Sequence, residues 1–161
     1  MILHNIRSLH NVGSIFRTAD AVGVEKIYLC GITPAPLDRF GCARKQLIKV
    51  SLGAEKTVPW EYSRSAVSVI RKLKKDGYKI FVVEQNAKSI PYYKVKVRSS
   101  GLRKSQRTYE VPRVALVLGN EVSGLSPHIL KLADKILEIP MLGRKESLNV
   151  AVAFGIVAYG I

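Results

Sequence analysis

The sequence predicts an α/β fold built on one mostly parallel sheet flanked by helices. Short apolar runs stand at residues 26–30, 79–84, 114–119 and 135–139, and each reads as a strand. Stretches with apolar residues at helical spacing lie between them. Strands that alternate with helices favour crossover connections and parallel pairing. No internal repeat and no linker interrupts the pattern. The 161 residues are therefore expected to form one domain, large enough for its own core.

Residues 1–6 are a candidate first strand. A helix opens at Asn11-Val12-Gly13-Ser14, repeats Ile15, Phe16, Ala19 and Val22 at helical spacing, and stops at Gly23. The strand Lys26-Ile27-Tyr28-Leu29-Cys30 ends at Gly31, and Pro34-Ala35-Pro36 excludes regular structure after it. Residues 42–60 are ambiguous, with Leu47-Ile48-Lys49-Val50 suited to a short helix or a strand. A helix is expected over 61–76, with Ala66, Val67, Ile70 and Leu73 on one face and Gly77 as its end. The strand 79–84 follows.

Residues 88–113 are the most basic and least periodic part. Lys94, Lys96, Arg98, Arg103, Lys104, Arg107 and Arg113 stand against Glu110, with Tyr92, Tyr93 and Tyr109 interleaved. Such a segment suits a solvated loop or a grip on phosphates and unpaired bases, equally well. The clearest strand comes next, Val114 through Leu118 to Gly119. Ser126-Pro127-His128-Ile129 begins a short helix with Pro at its first position. After the strand 135–139, a last helix begins near Ser147, which is the candidate cap, and runs to the C-terminus. Asn149 falls on its first turn, where a carboxamide among apolar residues needs a partner or a ligand. A loop from strand end to helix start is also where α/β folds place ligands.

Twenty-six basic residues oppose 12 acidic ones, a net charge of +14. That balance points to a polyanionic partner, and to nucleic acid before a membrane surface, since no basic amphipathic helix with aromatic anchors is evident. No uninterrupted apolar run reaches the length of a membrane span. The N-terminus lacks the basic-then-apolar layout of a secretion signal, so the cytoplasm is the expected compartment. Cys30 and Cys42 form no C-x-x-C, and His4, His10 and His128 show no ligand spacing. No metal site is expected.

Three stretches carry chemistry: Asn11-Val12-Gly13-Ser14-Ile15-Phe16-Arg17, Leu118-Gly119-Asn120-Glu121-Val122-Ser123-Gly124-Leu125-Ser126, and Ile139-Pro140-Met141 through Ser147-Leu148-Asn149-Val150. Gly119 and Gly124 have the spacing of a phosphate-binding P-loop, but Leu125 stands where that motif needs a Lys. No G-x-G-x-x-G occurs. Singly, Arg17 suits a solvated helix charge, Glu121 a loop residue, and Ser147 with Asn149 a helix cap. Together and in this order, the stretches resemble the SpoU, or TrmH-like, RNA ribose 2′-O-methyltransferases of the SPOUT superfamily. The resemblance runs from about Asn5 to the C-terminus.

The resemblance implies a C-terminal deep trefoil knot, S-adenosylmethionine as cofactor and a homodimer. It implies a cofactor cradle of Leu118, Gly119, Asn120, Ile139, Met141, Ser147 and Leu148, with Gly119 suited to close backbone approach. Arg17 matches the arginine assigned to the ribose 2′-hydroxyl. Asn11, Glu121, Ser147 and Asn149 match the other polar site positions, with Asn11 and Glu121 expected to hold Arg17 or the RNA. The expected substrate is a structured RNA, tRNA before rRNA, and neither DNA nor membrane is expected as a partner. The whole chain, 1–161, is expected to be one near-minimal domain without a separate RNA-binding extension. Two alternatives stay open. A base-nitrogen RNA methyltransferase of the same fold leaves Asn11 with Arg17 unexplained. A non-catalytic RNA-binding or assembly protein would not need Arg17, Glu121, Ser147 and Asn149 together.

Overall fold

The computed structural model describes residues 1–95, 97 and 113–161. Lys96, Arg98, Arg103, Lys104, Arg107, Tyr109 and Glu110 of the basic segment lie outside the described residues. The elements run β1 (Ile2–His4), α1 (Leu9–Ala21), β2 (Ile27–Cys30), α2 (Lys45–Ser51), α3 (Ala54–Thr57), β3 (Trp60–Ser63), α4 (Ala66–Lys75), β4 (Lys79–Val83), β5 (Ile90–Pro91), a 3-10 turn at Tyr92–Lys94, β6 (Val114–Leu118), α5 (Pro127–Leu130), β7 (Lys135–Glu138) and α6 (Val150–Gly160).

The strands form one sheet in the order β3-β2-β1-β6-β4-β7-β5. Every pairing is parallel. The expected α/β architecture with its parallel sheet is borne out. Its apolar strands are explained by helices on both faces, since strand side chains alternate in direction. Leu3, Ile27, Leu29, Phe81, Leu116 and Leu118 point to the core shared with Phe16 of α1, Leu47 of α2 and Phe154 of α6. Ile2, Tyr28, Cys30, Ile80, Val82, Ala115 and Val117 point to the other core, with Ile70 and Leu73 of α4 and Ile129 of α5. Among the described residues, no helix is long and apolar enough to cross a membrane.

Two sequence expectations are corrected. Residues 61–63 are strand, not helix: Trp60–Ser63 pairs residue for residue with Ile27–Cys30, so sheet hydrogen bonds claim this backbone. The helix starts at Ala66, where Ser65 accepts the N–H of Ser68 at 3.2 Å. The last helix starts at Val150 rather than near Ser147. Its cap is Asn149, whose Oδ1 accepts the N–H groups of Ala151 at 2.9 Å and Val152 at 3.4 Å. Residues 42–60 resolve into α2, α3 and the start of β3.

Between β1 and its neighbour β6 the sheet has a switch point. The chain leaves β1 toward β2 on one side and leaves β6 toward β7 on the other. The loops after these two strands diverge there, which opens a crevice at their C-terminal ends.

Candidate functional site

The crevice begins with Asn5, which follows β1 at φ +59°. Asparagine tolerates this left-handed conformation better than most residues. Its Oδ1 accepts the N–H of Ile32 at 3.1 Å, and its carbonyl accepts Asn120 Nδ2 at 2.8 Å. Three loops therefore meet on one residue. Ser8 then caps α1 by accepting the N–H of Asn11 at 3.2 Å, which sets the first turn of the helix over the crevice.

Asn120 organises the loop after β6. Its Oδ1 accepts the N–H groups of Val122 and Ser123, both at 2.9 Å. Gly124 closes the turn at φ +62°, and a Cβ there would lie 2.5 Å from Glu84 Oε2. Glu84, just past β4, accepts the N–H of Leu125 at 2.9 Å through that same oxygen. Glu121 is thereby held at the tip, facing α1.

The three motif segments are joined by one chain of hydrogen bonds. Asn149 Nδ2 donates to Asn11 Oδ1 at 2.9 Å. Asn11 Nδ2 donates to Glu121 Oε1 at 2.9 Å. Arg7 N–H completes the carboxylate, donating to Oε2 at 3.4 Å. The partner expected for Asn149 is thus Asn11, together with the helix backbone.

Arg17 lies apart from this relay. It is exposed and makes no hydrogen bond or ion pair among the described residues. Six positions after Asn11 on α1, it is turned to a different face of the helix. It lines a shallow cleft of about 310 Å³ with Ser14, Thr18, Ala21, Val50 and Tyr159. Asn11 and Glu121 therefore hold each other and Asn149, rather than Arg17.

Ile139, Met141, Ser147 and Leu148 come together. They line a hollow of about 110 Å³ with Val83, Glu84, Gln85, Leu137, Glu138 and Ala153. Leu118, Gly119 and Asn120 stand at the same C-terminal end of the strands but outside this hollow; Leu118 is in register with Val83, and Val83 with Leu137. Gly119 has an internal reason to be glycine. A Cβ there would meet the Leu125 side chain at 2.6 Å and the Gly124 carbonyl carbon at 2.9 Å. Asn120 directs both ends of its carboxamide into the protein.

Asn5, Glu84 and Thr33 were missed from sequence. Thr33 is buried, and its Oγ1 accepts the N–H of Ile6 at 3.1 Å and reaches the carbonyls of Leu3 and Cys30 at 3.0 and 2.8 Å. A carboxylate closing an apolar strand was the one available signal for Glu84. At the end of β1, burial pushes the His4 imidazole below its ordinary pKa. Burial pushes the Cys30 thiol up to about 12.

Comparison with known proteins places this geometry. The SpoU rRNA methylase family model matches residues 1–159. The chain is 34% identical over 155 residues to the tRNA (guanosine(18)-2′-O)-methyltransferase of Aquifex aeolicus, covering 96% of this chain and 64% of that protein. It is 32% identical over 157 residues to a 23S rRNA (guanosine-2′-O-)-methyltransferase of Neisseria meningitidis, covering 98% of this chain and 55% of that one. The fold matches an AdoMet-bound rRNA methyltransferase from Sinorhizobium meliloti at a TM-score of 0.81 and 28% identity, over 99% of this chain and 53% of that one. It matches the A. aeolicus TrmH/SpoU tRNA modifying enzyme at 0.77 and 31%, over 99% and 71%. The chain thus spans a little over half to about two thirds of the length of these curated relatives. With a family model matching residues 1–159 and three motif segments joined at one crevice, the chain belongs to the SpoU methylase family.

Proposed function

We propose that the chain is an S-adenosylmethionine-dependent methyltransferase acting on a ribose 2′-hydroxyl of a structured RNA. The observation that carries this is the Asn149–Asn11–Glu121 relay, which ties the three motif segments into one site. The named relatives at 34% and 32% identity are both RNA guanosine 2′-O-methyltransferases, which supports the same reaction here.

The hollow beside β4 and β7 fits such a cofactor by its chemistry. Val83, Leu137, Ile139, Met141 and Leu148 offer apolar walls for a heteroaromatic ring, and Glu84 and Glu138 bring carboxylates to its edge. When bound, S-adenosylmethionine supplies a methyl group on a positively charged sulfur. The apolar walls exclude water, and the carboxylates favour the positive charge. Leu118, Gly119, Asn120 and Ser147 complete the cradle in this proposal.

Arg17 serves as a positioning cation. A guanidinium stays protonated in proteins, so it is a poor base. Within one chain its cleft lies apart from the crevice, so in this role the Arg17 of a second copy binds the phosphate beside the target ribose and holds the 2′-hydroxyl in line for transfer, while the phosphate or water takes the proton. Orientation of this kind supplies much of the acceleration of a group transfer. Asn11, Glu121 and Asn149 fix the crevice against which the ribose lies.

The finer reading is one domain over 1–161, a homodimer, a cytoplasmic location and a knotted C-terminal part. Strand β7 lies between β4 and β5 although it follows both in sequence, which is compatible with a threaded chain. Helix α6 is nearly all apolar yet leaves Val152 and Tyr159 half or more exposed, a face suited to a second copy. We take tRNA as the first substrate, from the 34% identity with the tRNA enzyme. The test is transfer of labelled methyl from S-adenosylmethionine into total tRNA and, separately, rRNA. Label in tRNA is expected. Label in rRNA alone would overturn the tRNA preference, and label in neither, with no cofactor binding, would overturn the reaction.

A further inference from the structure

We propose that the loop between β2 and α2, residues 31–44, is a further RNA contact, in which Phe40 stacks an unpaired base and the surrounding cations hold its phosphates. The inference rests on the RNA reading above and adds a place where the substrate is gripped.

Phe40 is 74% exposed at the loop tip, with Ile32 and Leu37 also exposed beside it in sequence. The Arg39 guanidinium lies over the Phe40 ring, 4.6 Å from its centroid. A lone exposed phenylalanine has no special meaning. Here the ring is paired with a cation and held on a built turn. Asp38 Oδ1 accepts the N–H groups of Phe40 at 2.8 Å and Cys42 at 2.9 Å. Leu37 and Ala43 form an antiparallel bridge below the tip. The ring is therefore displayed by a preorganised loop, which lowers the ordering cost of binding.

The charge around it selects the partner. Asp38 is the acidic residue of the loop, and its Oδ1 is committed to the turn. Arg39, Arg44, Lys45 and Lys49 leave the surface cationic, and Arg44 Nε is buried without a hydrogen-bond partner among the described residues. An aromatic face among cations suits single-stranded RNA, because every base has a stackable face and every nucleotide a phosphate. The base of the loop also meets the crevice: Ile32 N–H donates to Asn5, whose carbonyl accepts from Asn120.

The loop carries its own reporter. Cys42 is exposed, and the other cysteine, Cys30, is buried with its thiol pushed up to about 12. Alkylation by N-ethylmaleimide therefore reads Cys42. We expect saturating total tRNA or rRNA, whichever accepts methyl, to slow labelling about five-fold or more. Phe40→Ala should raise the KM for that RNA about ten-fold. It should leave kcat at saturating RNA and the Kd for S-adenosylmethionine unchanged, and Phe40→Trp should restore KM. Unprotected Cys42 with both RNA pools, or a wild-type KM in Phe40→Ala, would overturn the inference. Labelling that slows with protein concentration alone would also overturn it, by assigning the loop to a contact between copies. Methyl transfer without protection would sink this loop and leave the reaction standing; protection without methyl transfer would do the reverse.

Discussion

Asn149 and Asn11, 138 positions apart, share a hydrogen bond whose direction is set by helix α6. The Asn149 oxygen is taken by the N–H groups of Ala151 and Val152, so its nitrogen must face Asn11. That assigns the Asn11 oxygen to Asn149 and the Asn11 nitrogen to Glu121. The cap of the last helix thereby orients a carboxylate on a loop one strand away.

Asn149 variants separate the cap from the relay. Asn149→Ala loses both and should lower stability by about 1 kcal/mol. Asn149→Asp keeps a capping oxygen but turns a carboxylate toward the Asn11 oxygen. It should unfold close to wild type and transfer methyl at least ten-fold more slowly, by roughly 1.4 kcal/mol in the barrier. Thermal unfolding and single-turnover methyl transfer check the pair. An active Asn149→Asp enzyme would show that the relay is structural only.

Glu84 is expected to support the loop that carries Glu121. Glu84→Ala leaves the Leu125 N–H without its acceptor, a loss of about 1–3 kcal/mol for a buried donor. Gly124→Ala forces a side chain to positive φ and against the Glu84 carboxylate, so it should destabilise as well. Urea denaturation of both variants and of their combination should show less than additive loss, because they act on one contact.

Arg17 should matter to activity and not to stability. It is exposed and unpaired among the described residues, so Arg17→Ala should change unfolding by no more than about 0.5 kcal/mol. Methyl transfer should fall about 100-fold or more. Arg17→Lys keeps the charge and loses the two-pronged geometry, so it should recover only part of the rate. Full activity in Arg17→Lys would contradict a bidentate phosphate contact.

Stability should fall on mild acidification. Burial lowers the His4 imidazole from its ordinary value of 6.5. It is a base whose folded pKa lies below the unfolded one. The unfolded chain therefore takes up the proton first as pH drops. Its contribution is complete above about pH 6.5 and declines as pH falls below that. Urea midpoints at pH 8 and pH 5.5 check this, and His4→Gln should flatten the difference.

The sheet was legible in the sequence because its strands are covered on both faces and read as apolar runs. Residues 61–63 were misread because Trp60, Glu61 and Tyr62 precede an amphipathic helix without a strong breaker. Only pairing with β2 marks them as strand. Ser147 was preferred as the cap over Asn149 although both residue types cap helices, since local sequence does not say which oxygen meets the free N–H groups. Asn11, Glu121 and Asn149 were singled out as a set through the motif resemblance. Their connections were not: the relay spans separations of 110 and 138 residues, and nothing local announces it. Asn5 and Thr33 escaped notice because their work is to join loops that sequence reading treats one at a time.

The most direct test is the identity of the methylated nucleoside. Wild type and Arg17→Ala would be incubated with labelled S-adenosylmethionine and total tRNA, and the RNA digested to nucleosides. Label is expected in a ribose-methylated nucleoside with wild type, with a loss of about 100-fold or more in the variant. Label on a base, or equal label with Arg17→Ala, would contradict it.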